Sequence, residues 1–257
     1  MEQGADERRW KHVWLGLMKV VLWVIGIAYF PVMMSFVNKE KGEVRCSNIR
    51  TNVHTKSTDV LISDNGLRQI VKDEFPELVG QRIGEVDYNE IEERLSQSNI
   101  VKRCEVYPSA DGTVHVEIYQ RQPIMRVFTN EGSSYYMDSE GYKIVAKPGM
   151  RCHTLIVNGH VNKMMDELDG LMSICRLIDG DPFWKSMIEQ ISVTKSQEYV
   201  MVPRIGNHLI DFGKAERIEQ KFNDLLTLYK KGWAKDEWNA YKTVSLKYQG
   251  QIICTKR

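Results

Sequence analysis

The spacing of apolar and polar positions changes several times along the chain. The longest unbroken apolar stretch is Val20 to Val37, VVLWVIGIAYFPVMMSFV, eighteen residues without a charge. At 1.5 Å per residue it reaches across a bilayer core of roughly 30 Å. Extending it back to Val13 adds one lysine, Lys19, whose long stem can snorkel to the headgroups. Trp14, Trp23, Tyr29 and Phe30 add the aromatic character expected near interfaces, and Pro31 is tolerable in a membrane helix with a kink. The length of the run, and the polar sequence directly after it, separate it from a buried core helix. A cleaved signal peptide would have a shorter apolar region and a small-x-small cleavage site, which does not follow Val37. The pattern therefore predicts a single transmembrane helix over 13–37, after a charged tail over 1–12. Arg8, Arg9 and Lys11 precede it and Lys39, Lys41 and Arg45 follow, so the basic flanks do not decide orientation cleanly. A short arm before the span and a long domain after it favour arm in and domain out.

After a polar linker, Asn38–Glu43, the period shortens. Val44, Cys46, Ile49 and Val53 suggest a first strand, and Ser57–Ser63 a connection. Ser63 or Asp64 caps a helix running to Phe75, with Leu67, Ile70, Val71 and Phe75 on one face and Pro76 ending it. Asp87, with Glu90 three residues on, starts a second helix that turns Ile91 and Leu95 inward and stops near Asn99. Ile100–Tyr107 reads as a strand, Pro108–Gly112 as a turn, and Thr113–Tyr119 as a strand with Val114, Val116 and Ile118 alternating. The order strand, helix, helix, strand, strand suits a three-stranded sheet with both helices on one face.

The second half is richer in strands. Tyr136-Met137-Asp138-Ser139-Glu140-Gly141 reads as a hairpin turn, with Asp138 bonding the backbone two residues on and Gly141 in a conformation other residues avoid. Thr154–Val157 is a strand closed by Asn158-Gly159. Lys163–Ile178 is an amphipathic helix with Met164, Leu168, Leu171, Met172, Cys175 and Ile178 at helical spacing, stopped by Asp179–Pro182. Met187–Ile191 and Tyr199–Val202 are further strand or edge material. A helix over Lys214–Lys231 buries Ile218, Phe222, Leu225, Leu226 and Tyr229 and ends at Gly232. Thr243–Cys254, TVSLKYQGQIIC, reads as one last strand with a bulge at Gly250.

The element order, with Val106-Tyr107-Pro108 and then Val116-Glu117-Ile118-Tyr119-Gln120-Arg121-Gln122-Pro123-Ile124, resembles the POTRA domain of the bacterial cell-division protein family FtsQ, also called DivIB. The (E/Q)-R-x-P motif is matched at Arg121 and Pro123, where proline ends the strand at a domain junction. The family's Y-x-D-x-x-G turn is matched at Asp138 and Gly141. In its final strand, Ser245 stands where the family has an aspartate and Lys247 where it has an arginine. The resemblance implies an α+β chain. A single transmembrane helix is followed by a POTRA domain (β-α-α-β-β) over 44–122, then by a second, mixed and strand-rich domain over 123–257 with helices on an antiparallel sheet. It also implies a non-catalytic, single-pass inner-membrane scaffold of the divisome, concentrated at the septum. The amino terminus would be cytoplasmic and the carboxy-terminal domain periplasmic. The implied partners are FtsB/FtsL-type bitopic proteins, bound by strand addition at Leu246, Lys247, Tyr248, Gln249 and Gly250. Other divisome membrane proteins would meet the POTRA domain. The alternatives are a POTRA-containing envelope assembly or transport factor and a membrane-anchored cell-wall enzyme.

Composition narrows the chemistry. Thirty-five basic against 34 acidic residues leave a net charge of +1, with no basic field for nucleic acid. The cysteines, Cys46, Cys104, Cys152, Cys175 and Cys254, are scattered without a CxxC pair. This argues against a structural zinc site, and their odd number against a full disulfide framework. No nucleophile elbow, HExxH or P-loop occurs. Cys152-His153 with His160 is the one suggestive Cys–His cluster, and loop or packing roles suit it better than catalysis or metal binding. No catalytic residue, metal or cofactor is therefore expected, nor a small-molecule substrate.

Overall fold

A computed structural model describes residues 18, 22–29, 31, 33, 44–55, 60–146, 152–161, 165–233 and 237–257. Residues 22–29 are helical, and Leu22, Trp23, Val24, Ile25, Ile27 and Tyr29 are all exposed. Among the described residues no helix is long and apolar enough to cross a membrane. Eight consecutive helical residues rise about 12 Å, less than half a bilayer core. The expected span over 13–37 is therefore not established, and most of its other positions, like the tail and the linker, lie outside the described residues.

The chain divides into two compact units, Met1–Asn52 with Asp64–Glu93 and Glu105–Glu117, and Val53–Ser63 with Arg94–Cys104 and Ile118–Arg257. The first elements are β1 (Asn48–His54), α1 (Asp64–Glu74), α2 (Tyr88–Ser96), β2 (Val101–Pro108) and β3 (Thr113–Gln120). This is the expected β-α-α-β-β order, and the three strands form a sheet in the order β1-β3-β2. The α2 start is built as its sequence dictates: the Asp87 carboxylate accepts from the Glu90 amide at 3.1 Å. In the first unit, Leu67 and Val71 of α1, Ile91 of α2 and the alternating Val114 and Val116 of β3 are buried.

The second unit carries a nine-stranded sheet in the order β12-β11-β10-β9-β8-β7-β4-β5-β6. Its strands are β4 (Pro123–Phe128), β5 (Ser134–Asp138), β6 (Lys143–Val145), β7 (Leu155–Gly159), β8 (Ile188–Val193), β9 (Tyr199–Pro203), β10 (Leu209–Gly213), β11 (Tyr241–Ser245) and β12 (Ile253–Lys256). The expected antiparallel sheet is mixed instead. β4 with β7, β7 with β8, and β10 with β11 run parallel, and the other pairs run antiparallel. The reason lies in the connections. α3 (Met165–Gly180) and α4 (Pro182–Met187) separate β7 from β8, and α5 (Ile218–Thr227) separates β10 from β11. A chain that crosses over through a helix re-enters its sheet in the same direction. The helices cover one sheet face. Met125, Val127, Val157, Ile191, Met201, Ile210 and Phe212 from the strands join Leu171, Met172, Cys175, Trp184, Phe222 and Leu225 from the helices in one core. Asp181 caps α4, accepting from the Phe183 amide at 2.8 Å, with Pro182 at the first helical position. α5 starts four residues later than its periodicity suggests because Arg217 sits in the left-handed region, φ 50°.

No disulfide joins the cysteines among the described residues, and Cys46, Cys104 and Cys175 are buried, Cys175 against Met125 with sulfurs 3.6 Å apart. β7 and β8 approach so closely at Gly159, φ 93°, that an added Cβ would lie 2.2 Å from the Val193 carbonyl oxygen. Gly132, φ 81°, has open space around it. Gly132→Ala is expected to cost about 1–2 kcal/mol from left-handed strain alone. Gly159→Ala should cost clearly more in urea unfolding, because backbone must also move.

Candidate functional site

The terminal hairpin is built by the crossover before it. After β10, Gly213 (φ 70°) leaves no room for a side chain, since an added Cβ would meet Lys247 Cγ at 2.8 Å. The Lys221 ammonium, from α5, is 4% exposed and donates to the Phe212 carbonyl at 2.7 Å and the Lys214 carbonyl at 2.8 Å. Those bonds hold the loop that enters α5, and burial pulls the lysine's pKa down. The chain leaves α5 through a π turn, Leu228–Gly232, and a 3-10 turn, Glu237–Asn239, then enters β11 parallel to β10.

The expected single strand over 243–254 is a hairpin. β11 ends at Ser245, the chain turns through 246–252, and β12 returns antiparallel with Tyr241 opposite Lys256 and Val244 opposite Cys254. Alternation runs through Leu246 and Tyr248, which hides the break. Gly250 marks a turn, φ 71°, rather than a bulge. β11 is paired on both sides, and β12 is the sheet's outer strand. The Arg257 amide donates to Ala240, so the amides of Cys254 and Lys256 alternate outward, away from β11.

The five residues expected to bind a partner separate into three environments. Leu246 is a core residue, 2% exposed, with its amide donating to the Asp211 carbonyl at 2.9 Å. The Lys247 ammonium lies 2.9 Å from Glu198 and 3.2 Å from Asp211, and these partners raise its pKa, Glu198 foremost. Ser245 donates to the same Asp211 carboxylate at 3.3 Å. The acid that the family pattern puts at 245 is thus supplied by β10. Tyr248, Gln249 and Gly250 form the exposed turn, Tyr248 being 57% exposed.

A second cluster gathers the other motif residues. Pro123, which begins β4, stands opposite Asp138 at the end of β5. Arg121 lies 2.8 Å from Asp138, with the two side chains 12% and 5% exposed, and its guanidinium stacks 3.7 Å above the Tyr142 ring. The other Asp138 oxygen accepts from the Glu140 amide at 2.9 Å and the Tyr142 amide at 2.8 Å, and Gly141 takes φ 85°. Arg121, Pro123, Asp138 and Gly141 therefore form one structural staple. Arg121 and Asp138 are seventeen residues apart, and only the fold reveals their pairing.

Cys152 and His153 line a cleft of about 450 Å³ with Arg126, Lys185, Glu189 and Arg204. His160 follows β7 at its other end, where its amide donates to the Val193 carbonyl at 2.9 Å. The three suggestive residues are not assembled, and among the described residues no group of three could hold a metal ion.

Residues 122–255 match the family model described as FtsQ/DivIB, C-terminal related, and residues 44–119 match a POTRA-like domain. No curated protein matches the chain significantly.

Removing one partner of a buried ion pair leaves the other charge uncompensated. Arg121→Leu is expected to destabilise the fold by about 3–5 kcal/mol in urea unfolding. Lys247→Met, in a half-exposed pair, should cost about 1 kcal/mol or less.

Proposed function

Since the chain belongs to the FtsQ/DivIB C-terminal related family, we propose that it is a division scaffold, acting by holding other proteins rather than by catalysis. In this reading a tail over 1–12, a single membrane helix over 13–37 and a linker over 38–43 precede a POTRA domain over 44–122 and a docking domain over 123–257. The exposed apolar side chains at 22–29 and the uncharged run of the sequence support an inner-membrane anchor. The docking domain then faces the periplasm at the septum, and the POTRA domain meets other divisome membrane proteins.

The observation that carries this reading is the outer side of β12, the end strand of a nine-stranded sheet. Its outward amides and carbonyls offer a ladder that a second chain completes by strand addition. An FtsB/FtsL-type bitopic partner would add its strand there. The docking residues are then Ile253, Cys254, Thr255 and Lys256, flanked by Tyr248 of the turn. Ile253 is 46% exposed and offers an apolar contact beside the backbone bonds. Lys247 and Leu246 hold the turn in place from behind and do not meet the partner.

Lys256→Pro removes an outward amide while sparing the pairing with β11, as proline is tolerated on an edge. Capture of an FtsB/FtsL-type partner by the folded variant is expected to fall by roughly tenfold or more, the loss of one or two backbone hydrogen bonds. Unchanged capture would contradict docking at this edge. Deleting 13–37 should move the chain from the membrane fraction to the soluble one, and persistence in the membrane would contradict the anchor.

A further inference from the structure

His208 sits one residue before β10 and is 1% exposed. Its Nε2 lies 2.8 Å from the Tyr229 hydroxyl in the π turn. Its Nδ1 turns towards the Trp238 carbonyl without a hydrogen bond of good geometry. Tyr229, Trp233 and Trp238 enclose the ring at centroid distances of 5.7, 5.0 and 6.2 Å. Trp233 in turn stacks flat on Tyr241, at 5.0 Å and 6°. Tyr241 opens β11 and stands opposite Lys256 of β12. The histidine box and the terminal hairpin thus share a wall of aromatic rings.

A proton would disturb this box twice. In the neutral ring, Nε2 and the Tyr229 hydroxyl share one hydrogen. An imidazolium carries N–H at both nitrogens, so Nε2 can only donate and the Tyr229 hydroxyl can only accept. The charge would also be buried without a counter-ion. Among the described residues no carboxylate makes an ion pair or hydrogen bond with His208. On the elements packed around it, the buried or half-buried titratable groups are Tyr229 of the π turn, Tyr241 of β11 and Cys254 of β12, while Lys230, Lys231, Lys242 and Lys256 of the same elements are exposed cations. Tyr229 and Cys254 are kept neutral because burial raises both. Arg257 donates to the carbonyl of the neighbouring Asn207, which adds positive charge rather than negative.

We propose that His208 makes the docking hairpin acid-labile: an opened form, in which the ring leaves its aromatic box and β11–β12 loosens, takes up the proton. This concerns the regulation of the edge assigned above and rests on that reading. Burial lowers the pKa of His208 in the closed form, whereas the released ring returns to an ordinary value of about 6.5. The opened form therefore binds more protons in acid. The closed edge is fully favoured above about pH 6.5, and opening gains up to about tenfold per pH unit below it, until the closed ring itself titrates.

The test is residue-resolved amide exchange on the full chain in detergent micelles, from about pH 7.5 to about pH 5, corrected for intrinsic exchange. Protection of Tyr241–Ser245 is expected to fall by roughly fivefold or more as the pH drops, while that of Met125–Val127 holds. His208→Gln should abolish the dependence. Should that variant fail to fold, the side-chain NMR signals of a histidine-labelled wild-type chain give the second reading: His208 must titrate together with the loss of hairpin protection. Equal loosening across the whole sheet, loosening that persists in a folded His208→Gln chain, or titration with the hairpin still protected would each overturn the proposal. No partner takes part, so failure here is distinct from failure of edge docking.

Discussion

The arrangement of the terminal hairpin follows from one constraint, the parallel pairing of β10 with β11. Parallel neighbours cannot be joined by a tight turn, so a crossover must leave the sheet and come back. α5 is that crossover, and it is held by Phe222 and Leu225 in the core and by the buried ammonium of Lys221. Because β11 then fills the place beside β10, the rest of the chain can only fold back outside it. β12 becomes the outermost strand at this end, and no strand among the described residues pairs its outward side.

Polar groups set the rigidity around this edge. The Lys247 ammonium ties the hairpin turn to Glu198 and Asp211, just before β9 and on β10. The Leu246 amide prolongs the ladder to Asp211 beyond the end of β11. Far along the same sheet, Arg121 and Asp138 serve a related purpose at the β5 turn, where ring stacking on Tyr142 and two backbone amides to Asp138 flank a buried pair. Breaking the buried Arg121–Asp138 pair costs more than the pair itself contributes, because one charge is left uncompensated. The proposed strand addition needs an ordered edge, because partner hydrogen bonds form only where the ladder is held in place.

Much of this was legible in the residues. The period of Leu67 and Val71, the cap at Asp87, the alternation of Val114, Val116 and Ile118, and the Asp138-x-x-Gly141 turn all encode local structure, and the fold follows them. Strand–helix–strand spacing around α3 and α5 also carried the signal for parallel pairing, which the antiparallel expectation passed over. The terminal hairpin was hidden because alternation continues through Leu246 and Tyr248, so only Gly250 signals the reversal. Pairings such as Arg121 with Asp138, Lys247 with Asp211, and His208 with Tyr229 link distant positions, and no local period can reveal them. The edge itself is a property of strand order, which becomes visible only once all nine strands are placed.

In the proposed reading, β12 lends its outward side to a second chain. The most direct measurement is amide exchange at Cys254 and Lys256 with and without an FtsB/FtsL-type partner. Docking by strand addition predicts that these two amides slow by about a hundredfold on binding. Binding that leaves their exchange unchanged, with protection appearing elsewhere on the domain, would contradict the account.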